Sequence, residues 1–501
     1  MAATATTQRT AQAGERAVVI GSGFAGMAAA CCLAQAGLSV TVLEKNDQIG
    51  GRARVWKQDG FTFDMGPSWY WMPDVFEKFF ARFGKKPSDY YDLVRLDPGY
   101  RVYFGANEIV DVPAEPAALE AVFERLETGS AARLRDYLAQ AEYKYRVGMG
   151  DYVWRPSLSI FEFMDIRMIR ESIRIQMLQP LHKHTSRYFS DPRLLQIIEF
   201  PVLFLGGTAH NIPAMYSMMN HADLVLGTWY PMGGLRKTAE AIESLAGELG
   251  VTLHTRTEAR RIVIENGRAV GVQTDLETFP ADWVIAGGDY HHIEQNLLEE
   301  PFRNYTEADW DKRVLSPSSL LFYLGVNKKL TGLEHHNLFF DEGLDQHARE
   351  IYDDPKWPTR PLFYVSCSSK TDPAAAPEGM ENVFILIPAA VGLDDPEETR
   401  ERYYHLVMDR LEAMTGQTIR DSVVVKRSYA HREFGEDYHS YKGNAYGLAN
   451  TLLQTAFFKP SLRARKVENL LYAGQLTVPG PGVPPSLISG QVAANVILGR
   501  K

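Results

Sequence analysis

The sequence predicts an α/β fold, α+β overall, in which a parallel dinucleotide-binding sheet is interleaved with other segments. Three observations at its front predict this. Ala17–Ile20 is a short apolar run, the signature of a strand buried on both faces. Gly21, Gly23 and Gly26 follow it in GxGxxG spacing, and a small-residue helix pattern runs from Phe24 to Ala36. Gly37 stops that helix, Ser39–Leu43 reads as a second apolar strand, and Glu44 stands at its end, about twenty residues past the glycines.

Each part has a physical task. Gly21 makes the tight turn, Gly23 lets backbone approach a pyrophosphate, and Gly26 lets helix and sheet pack closely. Phe24 and Ala25 open the helix, whose unpaired N–H groups and positive dipole end face the phosphates. Glu44, with Lys45 next in the chain, is placed to accept hydrogen bonds from ribose hydroxyls and would repel a 2′-phosphate.

Length and composition bound the rest. The chain has 501 residues, too many for one compact core, so two or three domains are expected. Apolar content of 45% and charged content of 23% suit a folded protein rather than a disordered one. A net charge of −9 argues against nucleic acid as a partner, because phosphate binding wants a basic face. Cys31, Cys32 and Cys367 make neither a disulfide framework, nor a CxxC redox pair, nor a zinc site, and no metal is expected. A reducing, cytoplasmic compartment fits that usage. The leader MAATATTQRTAQAGER has no apolar core of a secretory signal. The longest apolar run, around Val383–Leu393, is too short for a membrane span and is broken by Pro388.

GGRARV, at Gly50–Val55, places two glycines and Arg52 just past the ribose carboxylate. Here the residues resemble the FAD-dependent amine oxidase and phytoene desaturase superfamily, in which such a GG-R signature follows the dinucleotide-binding unit. The resemblance implies FAD, with Gly51 and Arg52 beside its pyrophosphate and ribityl chain. FTFDMGPSWYW, at Phe61–Trp71, is similar to the D-x-G-P stretch entering the flavin cavity, which implies a place there for Gly66 and Pro67 and a structural role for Asp64. Phe76, Phe79, Phe80 and Phe83 then recur at helical spacing and read as a core stripe.

Further along, a glycine turn and an amphipathic helix occupy Trp229–Gly250, followed by strands alternating around Asn266–Gly267 and by a strand ending in Gly287–Gly288. The resemblance implies that this block rejoins the FAD domain, with backbone near Ala259 meeting the adenine. His291 and His292 after it read as structural. No second GxGxxG appears, and there is no cysteine pair, so electrons are expected to pass from substrate to FAD and then to a quinone or oxygen.

At the C-terminus a strand at Asn469–Ala473 leads into a Gly/Pro loop, and a helix is expected from about Ser486, read as its N-cap. The run AGQLTVPGPGVPPSLISG looks like that of bacterial-type phytoene desaturases. It implies that Gly474, Gln475, Val483 and Pro484 close the flavin site, the helix N-terminus giving positive potential to the pyrimidine edge. Gln475 stands where many members carry an acid. No cysteine is near, which excludes a cysteinyl–flavin bond.

This divides the chain into a discontinuous FAD domain (14–85, 225–299 and 430–501), a mainly helical substrate and membrane-associating segment (86–224), and a substrate-binding segment (300–429). Within Ser159–Phe189, Ile166, Ile169, Ile173 and Met177 share a helical face edged by Arg167, Arg170 and Arg174, with Lys183 and Arg187 beyond. Such a helix lies either on the inner face of the cell membrane or on its own protein. Asp165, Arg167 and Arg170 are the catalytic candidates, with Glu162 beside them. Phe204–His221, rich in Met and aromatic residues, reads as substrate wall or core. The resemblance implies an FAD-dependent carotenoid desaturase that converts phytoene to lycopene-type carotenes. A desaturase of hydroxylated carotenoids, a carotene isomerase, and a prenyl-binding carrier like the Rab GDP-dissociation inhibitors are the alternatives.

Overall fold

The computed structural model describes residues 10–159, 162, 171, 174–451 and 454–500. Its cofactor layer is a five-stranded, all-parallel sheet. From one edge to the other its strands are β5 (Leu470–Tyr472), β4 (Trp283–Ala286), β1 (Arg16–Ile20), β2 (Ser39–Leu43) and β3 (Thr252–His254). Ala17 lies level with Val40 on one side and Trp283 on the other. Helix α1 (Phe24–Gln35) follows β1, and Ala28 through Leu33 are fully buried. A helix apolar all round must be covered all round. The sheet covers one side of α1; α3 (Val483–Ile497) and α2 (Arg236–Glu248) cover others.

Helix α3 starts four residues earlier than the Ser486 cap predicted. Gly482 is the cap, and Pro484 and Pro485 fill the first turn, where a fixed φ is an advantage and a missing N–H costs nothing. The Ser486 N–H already bonds the Gly482 carbonyl at 2.9 Å, so Ser486 is a helical residue.

Beyond the cofactor layer stands a seven-stranded mixed sheet. Five of its strands, Ser318–Val326, His336–Phe339, Phe363–Ser366, Glu381–Ala389 and Val423–Tyr429, come from the later part of the chain. Tyr100–Gly105 and Glu108–Val112 complete it, so the segment read as mainly helical also supplies strands. Its Tyr and Val residues around a two-residue turn carry that signal. Pro388 sits inside a strand at no cost. It pairs with Ser319 on one side, and the neighbour on the other side has already ended opposite Leu386.

The turn at Asn266 and Gly267 has φ of 49° and 76°, as a two-residue hairpin turn requires. The phenylalanine stripe is core: Phe76, Phe79 and Phe80 are buried. All three cysteines are buried free thiols. Among the described residues no helix is long and apolar enough to cross a membrane.

Candidate active site

A cavity of about 530 Å³ runs from the end of β1 to the seven-stranded sheet. At the cofactor end its wall contains Gly21, Gly23, Phe24, Ala25, Glu44, Lys45, Gly51, Arg52, Gly66, Pro67, Ala259, Gly474, Gln475, Val483 and Pro484. Of the predicted cofactor residues only Gly26 stands behind the wall. A Cβ on it would meet the Gly21 carbonyl oxygen at 2.0 Å, so it serves close packing, as its place in the motif requires.

Glu44 is buried and held rigidly. One carboxylate oxygen accepts from the Ser22 N–H at 2.9 Å and the Ser22 hydroxyl at 2.6 Å; the other accepts from the Asn46 N–H at 2.8 Å. Lys45 donates to the Glu436 carbonyl and lies 3.3 Å from His439 Nε2, and burial lowers its pKa. The Arg52 guanidinium reaches Ser440 Oγ at 2.6 Å and the Asn444 carbonyl at 3.3 Å, over the ring of Tyr438. Its Nε is buried without a hydrogen-bond partner among the described residues, and burial lowers the pKa of the guanidinium. Gln475 is oriented by a 3.2 Å bond from its amide to Asn444 Oδ1.

These features fit FAD. Gly21 has φ of +91° and Gly51 of +57°, and a Cβ on Gly51 would stand 3.3 Å from the Gly23 Cα. Two glycine turns thus close on each other to leave a cradle of bare backbone. Arg52 lines the same space and brings its positive charge to the phosphate side of the cradle.

Asp64 lies apart from this wall. Its carboxylate accepts from the backbone N–H of Leu235 at 2.9 Å and of Arg236 at 3.3 Å, capping α2, and burial pushes it up to about 6. The structural reading of Asp64 holds in the geometry. The two histidines separate. His291 bonds Glu307 at 2.8 Å, whereas His292 lines the cavity, its ring stacked 3.8 Å from that of His439. Burial, then the neighbouring His439, pushes His292 down to about 3, so it is neutral.

Past the cradle the cavity becomes apolar. Trp69, Trp71, Phe200, Met215, Met218 and Met219 wall it together with Leu338, Phe340, Ile351 and Leu362. The Met- and aromatic-rich stretch is therefore wall in part. Met177, on the face read as lying either on a membrane or on its own protein, lines the cavity. His347 in this wall is neutral, pushed down to about 4 by burial. Its Nε2 donates to the Pro388 carbonyl at 2.8 Å and its Nδ1 accepts from the Leu362 N–H at 3.1 Å. It has no proton to exchange with a substrate.

Asp165, Arg167 and Arg170 lie outside the described residues, as do Ile166, Ile169 and Ile173. Glu162 is a loop clamp. Its carboxylate accepts from the N–H groups of Ser157, Leu158 and Ser159 at 3.0, 2.8 and 3.1 Å. Arg174 stacks on the ring of Tyr143 at 4.0 Å. Leu338, Phe340 and Ile351 were not foreseeable as site residues, because no motif separates an apolar chamber wall from a core.

A family profile for flavin containing amine oxidoreductases matches residues 24–498. The chain belongs to that family. A carotenoid 3,4-desaturase from Haloarcula japonica is 40% identical to this chain over 486 residues, covering 97% of this chain and 98% of its own. A zeta-carotene-forming phytoene desaturase from Myxococcus xanthus is 31% identical over 496 residues, covering 97% and 94%. An oxidoreductase structure from Methanosarcina mazei superposes with a TM-score of 0.61 at 18% identity, covering 95% of this chain and 99% of its own, which speaks for the fold alone. This flavin containing amine oxidoreductase is an FAD-dependent enzyme of the carotenoid desaturase group.

Proposed function

We propose that the enzyme inserts a double bond into an acyclic C40 carotenoid, and that this bond is the 3,4 bond of the end group. The observation that carries the first part is the unbroken cavity: the cofactor cradle opens directly into a chamber of Trp, Met, Leu and Phe side chains. A polyene hydrocarbon has no polar handle, so shape and apolar contact must hold it. The choice of bond rests on the 40% identity to a 3,4-desaturase against 31% to a phytoene desaturase, both over 97% of this chain. The latter relative, zeta-carotene-forming by name, favours a second reading in which phytoene is the substrate; how far desaturation then runs toward lycopene-type carotenes is read from the product.

Desaturation removes a hydride from one carbon and a proton from its neighbour. Bound FAD supplies the hydride acceptor. The chain's own contribution is position and dryness. The Trp69 ring stacks 4.2 Å from His336, which fixes that wall, and His347 is locked by its two hydrogen bonds. A dry wall keeps water from a cationic carbon left by hydride loss. The electrons leave to an acceptor of the quinone class or to oxygen. Such a substrate resides in bilayers, which supports peripheral attachment to the inner face of the cell membrane.

The test uses FAD-loaded protein without oxygen, mixed with liposomes carrying either an acyclic carotene saturated at the 3,4 bond or phytoene. Bleaching of the oxidised flavin band with the first, and a product of longer-wavelength absorption, is expected. Turnover of phytoene alone would install the second reading. No turnover of either, with flavin bound, would reject both. Flotation with the same liposomes tests the membrane attachment, and protein left at the bottom of the gradient would refute it.

A further inference from the structure

Desaturation releases a proton, and the described lining of the apolar chamber carries no carboxylate to take it. The carboxylates that do line the cavity, Glu44, Glu258, Asp289 and Asp437, act on Lys45 or Arg52 at the cofactor end. His347 does not replace them, because the Leu362 N–H already occupies the lone pair of its Nδ1.

One polar side chain stands where the two ends of the cavity join. Ser68 lies between Pro67 of the cradle and Trp69 of the chamber, and all three line the cavity. Two residues before it, a Cβ on Gly66 would stand 2.5 Å from the Arg52 carbonyl oxygen, so this stretch is pressed against the GG-R turn. Burial raises the pKa of Tyr364 in the chamber wall, and the hydroxyls of Ser366 and Ser68 oppose that rise. The Ser68 side chain therefore reaches the chamber.

Ser68 also borders a second, polar pocket of about 20 Å³, whose wall includes Asp64, Tyr230, Ser366, Ser368 and Asn382. A water needs about 10–15 Å³ and two to four polar partners, so this pocket has room and partners for one. Asp64 caps α2 by accepting from the N–H groups of Leu235 and Arg236. A carboxylate has about four acceptor sites, so capacity remains toward the pocket. Its pKa of about 6, raised by burial, is close to that of an effective general base. Of the other titratable groups around it, Asp372 adds like charge. Tyr230, Tyr323 and Tyr364 are raised by burial and His335 is pushed down to about 3, so these four are neutral at neutral pH. The Arg236 guanidinium turns away to Glu240 and the Ile49 carbonyl.

We propose that Ser68 and one water in this pocket carry the proton released by desaturation to the Asp64 carboxylate. One substrate carbon gives its hydride to FAD. The C–H bond of its neighbour then breaks, and that electron pair becomes the new C=C bond. The proton passes to the Ser68 oxygen as the Ser68 proton passes to the water, and a proton of the water passes to Asp64. Protonated Asp64 still accepts its two backbone bonds, so the cap of α2 survives each turnover. Ser68 is the catalytic residue here and Asp64 the acceptor behind it. The inference rests on the desaturase reading and is independent of which bond is oxidised.

Two experiments test it on the full-length protein loaded with FAD. The first needs no carotenoid. Infrared spectra across pH should show a carboxylic acid stretch that titrates with a midpoint near 6 in the parent and is missing from Asp64→Asn, which can keep the capping bonds. Ser68→Ala removes one partner of the water and should move that midpoint up by about 0.5. The second follows polyene formation in a single anaerobic turnover with the carotene liposomes. The parent rate should fall below about pH 6, where Asp64 is already protonated. Asp64→Asn should be slower by about a hundredfold and lose that fall, and Ser68→Ala should be slower by at least about tenfold. Ser68→Thr, which keeps the hydroxyl, should restore most of the rate. The absence of a band lost in Asp64→Asn, a midpoint unmoved by Ser68→Ala, or parent rates in either variant would overturn the proposal. Failure of every carotene to react, with the band and its shift present, would count against the substrate reading alone.

Discussion

Replacing Gly490 by alanine tests the contact that joins the two ends of the cofactor site. Gly490 lies in the middle of α3, and a Cβ there would stand 2.0 Å from the Ala25 carbonyl oxygen and 3.0 Å from the Ala28 Cβ. Ala25 belongs to the first turn of α1, behind the glycine cradle, while α3 starts at the loop that closes the flavin end. Comfortable non-bonded contact needs about 3.5 Å, so the helices must part by on the order of 1 Å. The clashing atom is backbone and cannot swing aside. Overpacking costs about 1–3 kcal/mol, here toward the upper end, and alanine returns about 1 kcal/mol of helix propensity. The net loss is about 2 kcal/mol, roughly thirtyfold in the folding equilibrium. With about 2.1 cal/mol/K of unfolding entropy per residue over 501 residues, that lowers Tm by only about 2 °C. FAD affinity is the sharper readout, because the shift moves the phosphate end of the cradle relative to the flavin loop. A site of this kind tolerates about 0.5 Å, so a loss on the order of tenfold is expected in a fluorescence titration with FAD. Wild-type affinity and Tm together would refute the claim that this contact sets the geometry of the site.

Glu44→Leu should weaken FAD binding on the order of tenfold or more, because it removes the ribose acceptor and strands three donors, the N–H and O–H of Ser22 and the N–H of Asn46, each worth about 1–3 kcal/mol if left unpaired. Unchanged flavin occupancy in the titration would contradict the assigned contact. Arg400 is buried between Asp395 and Glu433, so Arg400→Met should cost about 3–5 kcal/mol in chemical denaturation by leaving Asp395 without its guanidinium and Glu433 with only the exposed Arg432; a cost below about 1 kcal/mol would refute the pairing argument. Burial pushes the Asp223 carboxyl up to about 8, while an unfolded aspartate titrates near 4. Between those values the folded chain holds a proton that the unfolded chain has released, so this residue makes stability fall as pH rises through that window. Asn at this position can keep the Tyr100 bond, 2.9 Å in the parent, and cannot ionise. Asp223→Asn should flatten the decline of Tm between about pH 4 and 8. Parallel Tm profiles for parent and variant would show that Asp223 does not titrate there.

The cofactor cradle was legible because its constraints are local. A turn that must bare its backbone to a phosphate admits little but glycine, and a ribose partner must follow the second strand, so Gly21, Gly23 and Glu44 stand at spacings that geometry dictates. Even Gly26, which does not reach the cavity, is where helix and turn need a missing side chain. The two-residue turn at Asn266–Gly267 and the buried Phe76–Phe80 stripe were readable for the same reason. The start of α3 was misread because Pro484 and Pro485 can stand before a helix or inside its first turn, and only the Gly482 conformation decides.

The sequence by itself therefore determined the dinucleotide-binding sheet, the cradle and the class of cofactor, each specified by residues within one short stretch. Tertiary structure alone decided the chamber and its polar exceptions. Apolar side chains obey the same preference whether they face a core or a cavity, so Leu338 and Met177 carry no mark of their position until distant segments enclose a space between them. Asn450, Lys459 and Gly480 likewise lie far enough apart in the chain that no spacing rule links them. Among the described residues they become unmet hydrogen-bonding groups only where folding packs Asn450 and Lys459 together against Gly480.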